Sequence, residues 1–280
     1  MRMWAFRACM IALLATVMTV GAMPSPRAEQ TVDLELLLAV DVSWSMDLDE
    51  QQLQREGYVS ALRDPEVWRA ISAGGNSRIA IMYVEWAGQH IQQIVIPWTL
   101  IDGPAALEGF AEQLEKAPIS RNRMTSLSGA ISFSARQFGT GGFRGVRRVI
   151  DVSGDGPNNS GGPVEAARDE AVSQGIVING LPIILKPDHR SGFFDIRDLD
   201  KYYKDCVIGG FGAFVIPVRS KAEFAPAIRR KLILEIAGLS PEQDGVPRII
   251  RAQAPAPQDA SDCLSGEKLW RLYIDGRFRE

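Results

Sequence analysis

Hydrophobic and polar positions change period several times along the chain, and each change marks an element. Val32, Leu34 and Leu36 alternate with Asp33 and Glu35, then merge into the unbroken run Leu36-Leu37-Leu38-Ala39-Val40, the pattern of a strand covered on both faces. Asp47 to Leu62 opens on Asp47, Asp49 and Glu50 and predicts a helix, with a second short one over Pro65 to Ile71. Arg78 to Trp86 and Ile91 to Leu100 are strand-like and joined only by Ala87 to His90, so they form a hairpin. Pro104 to Lys116 is a helix. Leu127, Ala130, Ile131, Ala135 and Phe138 then recur at helical spacing after Thr125. Arg148 to Ser153 is a buried strand, Pro163 to Gln174 a helix closed by Gly175, and Ile176 to Leu185 a strand. Tyr202 to Val207 predicts a short helix, Ala213 to Val218 a last core strand, and Ala222 to Ile236 a last core helix closed by Gly238. This order predicts an α/β fold: a doubly wound, mostly parallel sheet with one antiparallel strand and helices on both faces.

The two ends of the chain break the alternation. Arg2 and Arg7 precede the uncharged, mostly apolar run Cys9 to Met23, with Ala22 and Ala28 before candidate cleavage points, so residues 1–28 read as a signal peptide. The competing reading is an uncleaved anchor, since residues 8–26 carry no charge. Gly21, Pro24 and Pro26 interrupt the run and no basic stop-transfer cluster follows, which favours cleavage, a periplasmic or secreted protein and no stable membrane insertion afterwards. The domain then spans 29–238. Beyond it Pro241, Pro247, Pro255 and Pro257 mark 239–280 as an irregular C-terminal arm lying over the surface.

Composition narrows the function. With 31 Lys+Arg against 34 Asp+Glu, a net charge of −3 and no basic stripe, general nucleic-acid binding is excluded. Loss of residues 1–28 removes three arginines and leaves the remainder more acidic. Three cysteines are too few for a zinc cage. Export leaves Cys206 and Cys263, whose bridge would tie the arm to the domain and stabilise it by about 4 kcal/mol on the loop-closure model. Two buried free thiols are the alternative.

The candidate chemistry lies in three segments. Asp41-Val42-Ser43-Trp44-Ser45 follows the first buried strand, Thr125 opens a helix, and Asp155 in Ser153-Gly154-Asp155-Gly156 follows the fourth strand. In an open α/β sheet, ligands bind beyond the carboxyl ends of the strands where the strand order reverses. If the first and fourth strands are neighbours there, two carboxylates and three hydroxyls share one crevice. That all-oxygen set suits a hard cation such as Mg²⁺, with Mn²⁺ or Ca²⁺ as alternatives. Each part alone has a plainer reading, since Ser45 or Asp47 would serve as a helix cap, and so would Thr125.

Asp41-x-Ser43-x-Ser45 with Thr125 and Asp155 resembles the metal-ion-dependent adhesion site of von Willebrand factor type A domains, and the resemblance covers about residues 31–238. The chain as a whole resembles a secreted bacterial family of single such domains known mainly as a domain of unknown function. The resemblance implies that Ser43, Ser45 and Thr125 contact the ion while Asp41 and Asp155 supply charge and hold waters. It also implies an open coordination position, filled by an Asp or Glu of a protein partner. The chain is read as a non-enzymatic, monomeric binding module. Trp44 and the continuation Gly156-Pro157-Asn158-Asn159 depart from the pattern. Trp44 is either an exposed contact for the partner or a side chain folded onto neighbouring loops.

A rival enzymatic reading is a haloacid-dehalogenase-like Mg²⁺-dependent phosphohydrolase, because Gly154 to Asn159 resembles that family's metal motif and Asp41 stands where its nucleophile would. Ser43 sits where that family places an acidic general acid, and Asn159 where it places an aspartate. A serine hydrolase lacks its Gly-x-Ser-x-Gly elbow. Asp151, inside the fourth strand, is expected to pair with Arg147 or Arg148, and His90 and His189 to lie on loops or the surface.

Overall fold

The computed structural model describes residues 29–185, 196–241 and 260–276. Its centre is a five-stranded sheet, β1 (Gln30–Asp41), β2 (Ile79–Trp86), β3 (Gln92–Ile101), β4 (Phe143–Gly154) and β5 (Ile176–Pro182), in the order β3-β2-β1-β4-β5. β3 is antiparallel to β2, and the other neighbours are parallel. The expected fold class is therefore the one observed.

Strand β1 is central because its sequence is apolar on both sides. Leu34, Leu36, Leu38 and Val40 pack with α1 (Leu48–Leu62), α2 (Pro65–Ser72), α3 (Pro104–Lys116) and α7 (Phe224–Ala237). Leu37 and Ala39 face α4 (Leu127–Ala135) and α5 (Val164–Ser173). Leu36, Leu37 and Leu38 are fully buried, and each such side chain contributes roughly 1.5–3 kcal/mol relative to exposure.

From β1 the chain moves outward to β2 and β3, then crosses to β4 on the opposite side of β1. The strand order thus reverses between β1 and β4. Val40 pairs with Ser153, which sets Asp41 level with Gly154 and puts Asp155 one residue past the strand end. The register alone brings the two aspartates to one crevice.

Two expectations need correction. Ala213 to Val218 is not a regular sixth strand: it meets β5 through isolated parallel bridges, Val215 with Gly180 and Val218 with Ile183. Pro182 of β5 has no amide proton to donate between the Gly180–Phe214 and Ile184–Val218 bonds, and the amide of Phe214 is bonded to the side chain Oδ1 of Asn179 at 3.0 Å, so the ladder is interrupted. The C-terminal arm is also not wholly irregular, since Ser265–Ile274 forms a helix, α8. Its anchor is a disulfide from Cys263 to Cys206, which lies in a π-helical turn (Tyr203–Val207) after the short helix α6 (Leu199–Tyr202). The free-thiol alternative is thereby set aside. Among the described residues, no helix is long and apolar enough to cross a membrane. The signal-peptide segment, His189, and the prolines of the arm beyond Pro241 lie outside the described residues.

Candidate metal centre

The first loop turns immediately after β1. The Ser43 amide donates to Asp41 Oδ1 at 2.7 Å, a local turn in which the aspartate replaces a backbone acceptor. Ser43 Oγ and Ser45 Oγ lie 2.8 Å apart, and Ser45 Oγ donates to Asp155 Oδ1 at 2.6 Å. Helix α1 is capped not by Ser45 but by Asp47, which accepts from the Glu50 amide while Glu50 accepts from the Asp47 amide, both at 2.9 Å. The reciprocal box two residues downstream satisfies the helix terminus, so the Ser45 hydroxyl turns toward the crevice.

The same division holds at α4. Its cap is Ser126, whose hydroxyl accepts from the Gly129 amide at 3.1 Å, and not Thr125. Thr125 is bound on its backbone by Asn159: the Thr125 amide donates to Asn159 Oδ1 and the Asn159 amide donates to the Thr125 carbonyl, both at 2.9 Å. Met124 just before it adopts φ 71°, a left-handed conformation that a non-glycine residue adopts only when its surroundings impose it. Asn122 also donates to the Val42 carbonyl at 2.9 Å, joining this loop to the first. Asp41, Ser43, Ser45 and Asp155 are thus linked in a chain of hydrogen bonds, while Thr125 is held by Asn159, four residues after Asp155.

Electrostatically the site is unbalanced. Asp41 is fully buried, and its Oδ2 has no hydrogen-bond partner among the described residues. Burial pushes its carboxyl well above the usual range and the neighbouring Asp155 charge pushes it further, while the Ser43 hydroxyl and amide and the Asp155 amide pull it back. Tyr203 stands beside it. A Cβ on Gly154 would lie 2.8 Å from Asp41 Oδ2 and 2.9 Å from the Tyr203 hydroxyl, so only glycine fits there. The tyrosine is driven well above its ordinary range by burial and then by Asp41. A buried carboxylate facing a second one, with the Ser43 and Ser45 hydroxyls between them, is an arrangement that a divalent cation neutralises, and the donor chemistry fits a hard ion. Among the described residues, no group of three or more His, Cys, Asp or Glu side chains is placed to hold a metal ion, here or elsewhere.

The rim carries Trp44, 49% exposed, with the Arg123 guanidinium 4.3 Å above its ring. Arg121 is exposed beside it and donates to the carbonyls of Trp44 and Met46, both at 3.4 Å. Trp44 is therefore both open to solvent and stacked on a neighbouring loop.

Asp151 corrects the expectation set for it. Its partner is Lys231 of α7 at 2.5 Å, which also holds Glu235 at 2.5 Å, all three within the core. Arg147 instead donates to the carbonyls of Glu235 and Ile236 at the end of α7, and Arg148 to that of Gln174. Arg147 shares the sheet face of Asp151 but is engaged at the C-terminal carbonyls of α7, and Arg148 projects from the opposite face. His90 is exposed, as expected. Sequence reasoning missed Tyr203, which carries no local signature. It flagged Asn158 and Asn159 as unusual without assigning the work they do in holding Ser128 and Thr125.

Residues 31–240 match the family described as "Protein of unknown function (DUF1194)". Among curated proteins none matches the sequence. In solved structures the chain resembles proximal thread matrix protein 1 from the mussel byssus, at 13% identity and TM-score 0.53, over 75% of this chain and 49% of that one. A second structure of that mussel protein, with a zinc-occupied MIDAS motif, aligns at 15% identity and TM-score 0.52 over the same shares. The pilus adhesin SpaC from Lactobacillus rhamnosus GG aligns at 12% identity and TM-score 0.52, over 73% of this chain and 30% of that one. The chain spans about half the length of the mussel protein. At these identities the likeness establishes the fold, which is of the von Willebrand type A kind.

Proposed function

Because the chain belongs to the DUF1194 family and has a von Willebrand type A fold, we propose that it is an exported, metal-dependent protein-binding module rather than an enzyme. The observation that carries this reading is the buried Asp41 carboxylate set against Asp155, with the Ser43 and Ser45 hydroxyls bonded between them. Ser43, Ser45 and Thr125 are the direct ligands, and Asp41 and Asp155 supply charge and hold waters. Mg²⁺ suits the donor set best, with Mn²⁺ or Ca²⁺ as substitutes. The zinc-occupied MIDAS motif of the mussel protein supports a divalent ion in a fold of this kind.

With few direct carboxylates the ion stays under-neutralised, so an incoming Asp or Glu of a partner gains strongly by completing its shell. Arg121 and Arg123 add positive charge at the rim, and Trp44 adds an aromatic contact. The phosphohydrolase reading finds no support in the first loop, where Ser43 offers a hydroxyl engaged with Ser45 and no carboxyl to act as general acid. The disulfide supports an extracytoplasmic, periplasmic or secreted location. Residues 1–28 then serve as signal peptide, 29–238 as the binding domain and 239–280 as its arm, in a monomer.

Calorimetric titration of the protein and its Asp41→Ala variant with Mg²⁺ and Mn²⁺ tests the site. Binding by the parent and its loss in the variant are expected. Binding by neither, or equally by both, overturns the reading. A partner is sought by comparing capture from an envelope extract with Mg²⁺ and with EDTA.

A further inference from the structure

The arm meets the domain at one particular place. Asn158, fully buried three residues after Asp155, uses its side chain in every direction. Its Oδ1 accepts from the Ser128 amide at 3.0 Å and the Ser128 hydroxyl at 3.2 Å, at the start of α4. Its Nδ2 donates to the Gly162 carbonyl at 3.0 Å and to Glu267 Oε1 of α8 at 2.6 Å. The backbone of α8 presses on the same residue, since a Cβ at Gly266 would overlap the Asn158 carbonyl.

A second set of contacts fixes where α8 sits. Cys263, two residues before the helix, is bonded to Cys206 across 57 positions of sequence. The Tyr202 hydroxyl accepts from the Asn158 amide at 3.2 Å and donates to the Cys263 carbonyl at 3.4 Å. The Ser261 amide donates to Asp205 Oδ2 at 2.9 Å. Tyr202 and Glu267 therefore meet at Asn158, with the bridge anchoring the start of α8 beside them, while the neighbouring Asn159 holds Thr125.

We infer that Glu267 is a positioning residue of the metal centre, and that the Cys206–Cys263 bridge holds it against Asn158 so that Thr125 and the Asp155 loop keep their ligating arrangement. This rests on the metal-binding reading above. Without Glu267 a buried amide N–H loses its acceptor, and the Asn158 side chain, no longer held from the α8 side, loosens against Ser128. Outer-shell groups of this kind typically alter metal affinity by about 10–100-fold. The centre is complete only when the arm is docked, and reduction of the bridge lowers its affinity for the ion.

Two measurements on the full protein, Glu267→Ala, Glu267→Gln and the Cys206→Ser/Cys263→Ser double variant test this. In metal-free protein, amide hydrogen exchange at Ser128 and Thr125 reports the asparagine bonds directly. We expect it to rise by at least about five-fold in Glu267→Ala and in the double serine variant, with β1 and α7 amides unchanged. In Mg²⁺ calorimetry the same two variants bind about ten-fold more weakly. Glu267→Gln, which keeps a carbonyl oxygen for Asn158, restores both. Unchanged exchange at Ser128 and Thr125, or a rise spread evenly over β1 and α7, overturns the inference. If the parent binds no Mg²⁺, the metal reading fails instead, and the exchange data alone decide whether the arm positions the loop.

Discussion

Ser45 Oγ donates to Asp155 Oδ1 at 2.6 Å although 110 positions separate the two residues. The bond closes the crevice between the first and fourth strands and exists because the neighbouring residue Asp47, not Ser45, satisfies the start of α1. Replacing Ser45 by Ala is expected to weaken Mg²⁺ binding by about ten-fold or more while leaving the metal-free melting temperature near that of the parent. Paired calorimetry and thermal unfolding check this, and an affinity equal to the parent's would remove Ser45 from the ligand set.

Asp47→Ala should do the reverse. Loss of both bonds of the capping box costs about 1 kcal/mol of stability, measured by urea unfolding, with the Mg²⁺ affinity much less affected than by Ser45→Ala. A larger loss of affinity than of stability would mean that the cap and the ligand loop are one unit.

Gly154→Ala introduces a Cβ between Asp41 and Tyr203, where no space exists. The backbone must shift, at a cost of roughly 1–3 kcal/mol, and the displacement falls on Asp41 itself. Unfolding curves and Mg²⁺ titration should both register it. Retention of parental values in both would show that the two side chains yield more easily than their burial implies.

The core group of Asp151, Lys231 and Glu235 governs a pH dependence. Burial, and then the Asp151 charge, raise Glu235 to about 7. Between its ordinary value near 4.5 and about 7 the folded chain binds a proton that the unfolded chain has released, so stability falls as pH rises through this window. Asp151, also raised by burial, acts in the same direction. Glu235→Gln should flatten the profile, and chemical unfolding at pH 5 and pH 8 would reveal an unaltered slope if Glu235 is not the group responsible.

Much of the architecture was legible because its causes are local. The Leu36-Leu37-Leu38-Ala39-Val40 run announces a strand with two buried faces, and Pro104, Gly175 and Gly238 punctuate helices by backbone geometry within a residue or two. The five candidate ligands were legible as a spaced set, but not which serine or threonine was a cap, since Ser45 and Thr125 are chemically as suited to capping as Asp47 and Ser126. Ala213 to Val218 misled because its apolar pattern is strand-like, while Pro182 and the Asn179 side chain, both on the neighbouring strand, interrupt the pairing from outside that pattern.

By itself the sequence determined most of the succession of strands and helices, the burial of β1 on both faces and the residue types at the crevice, because period, caps and turns act over a few residues. Only the tertiary structure decided that Asp151 pairs with Lys231, that Tyr203 stands beside Asp41, and that α8 reaches Asn158 through Glu267. Those are contacts between residues tens of positions apart, set by strand order, register and one disulfide, and no window along the chain contains both partners.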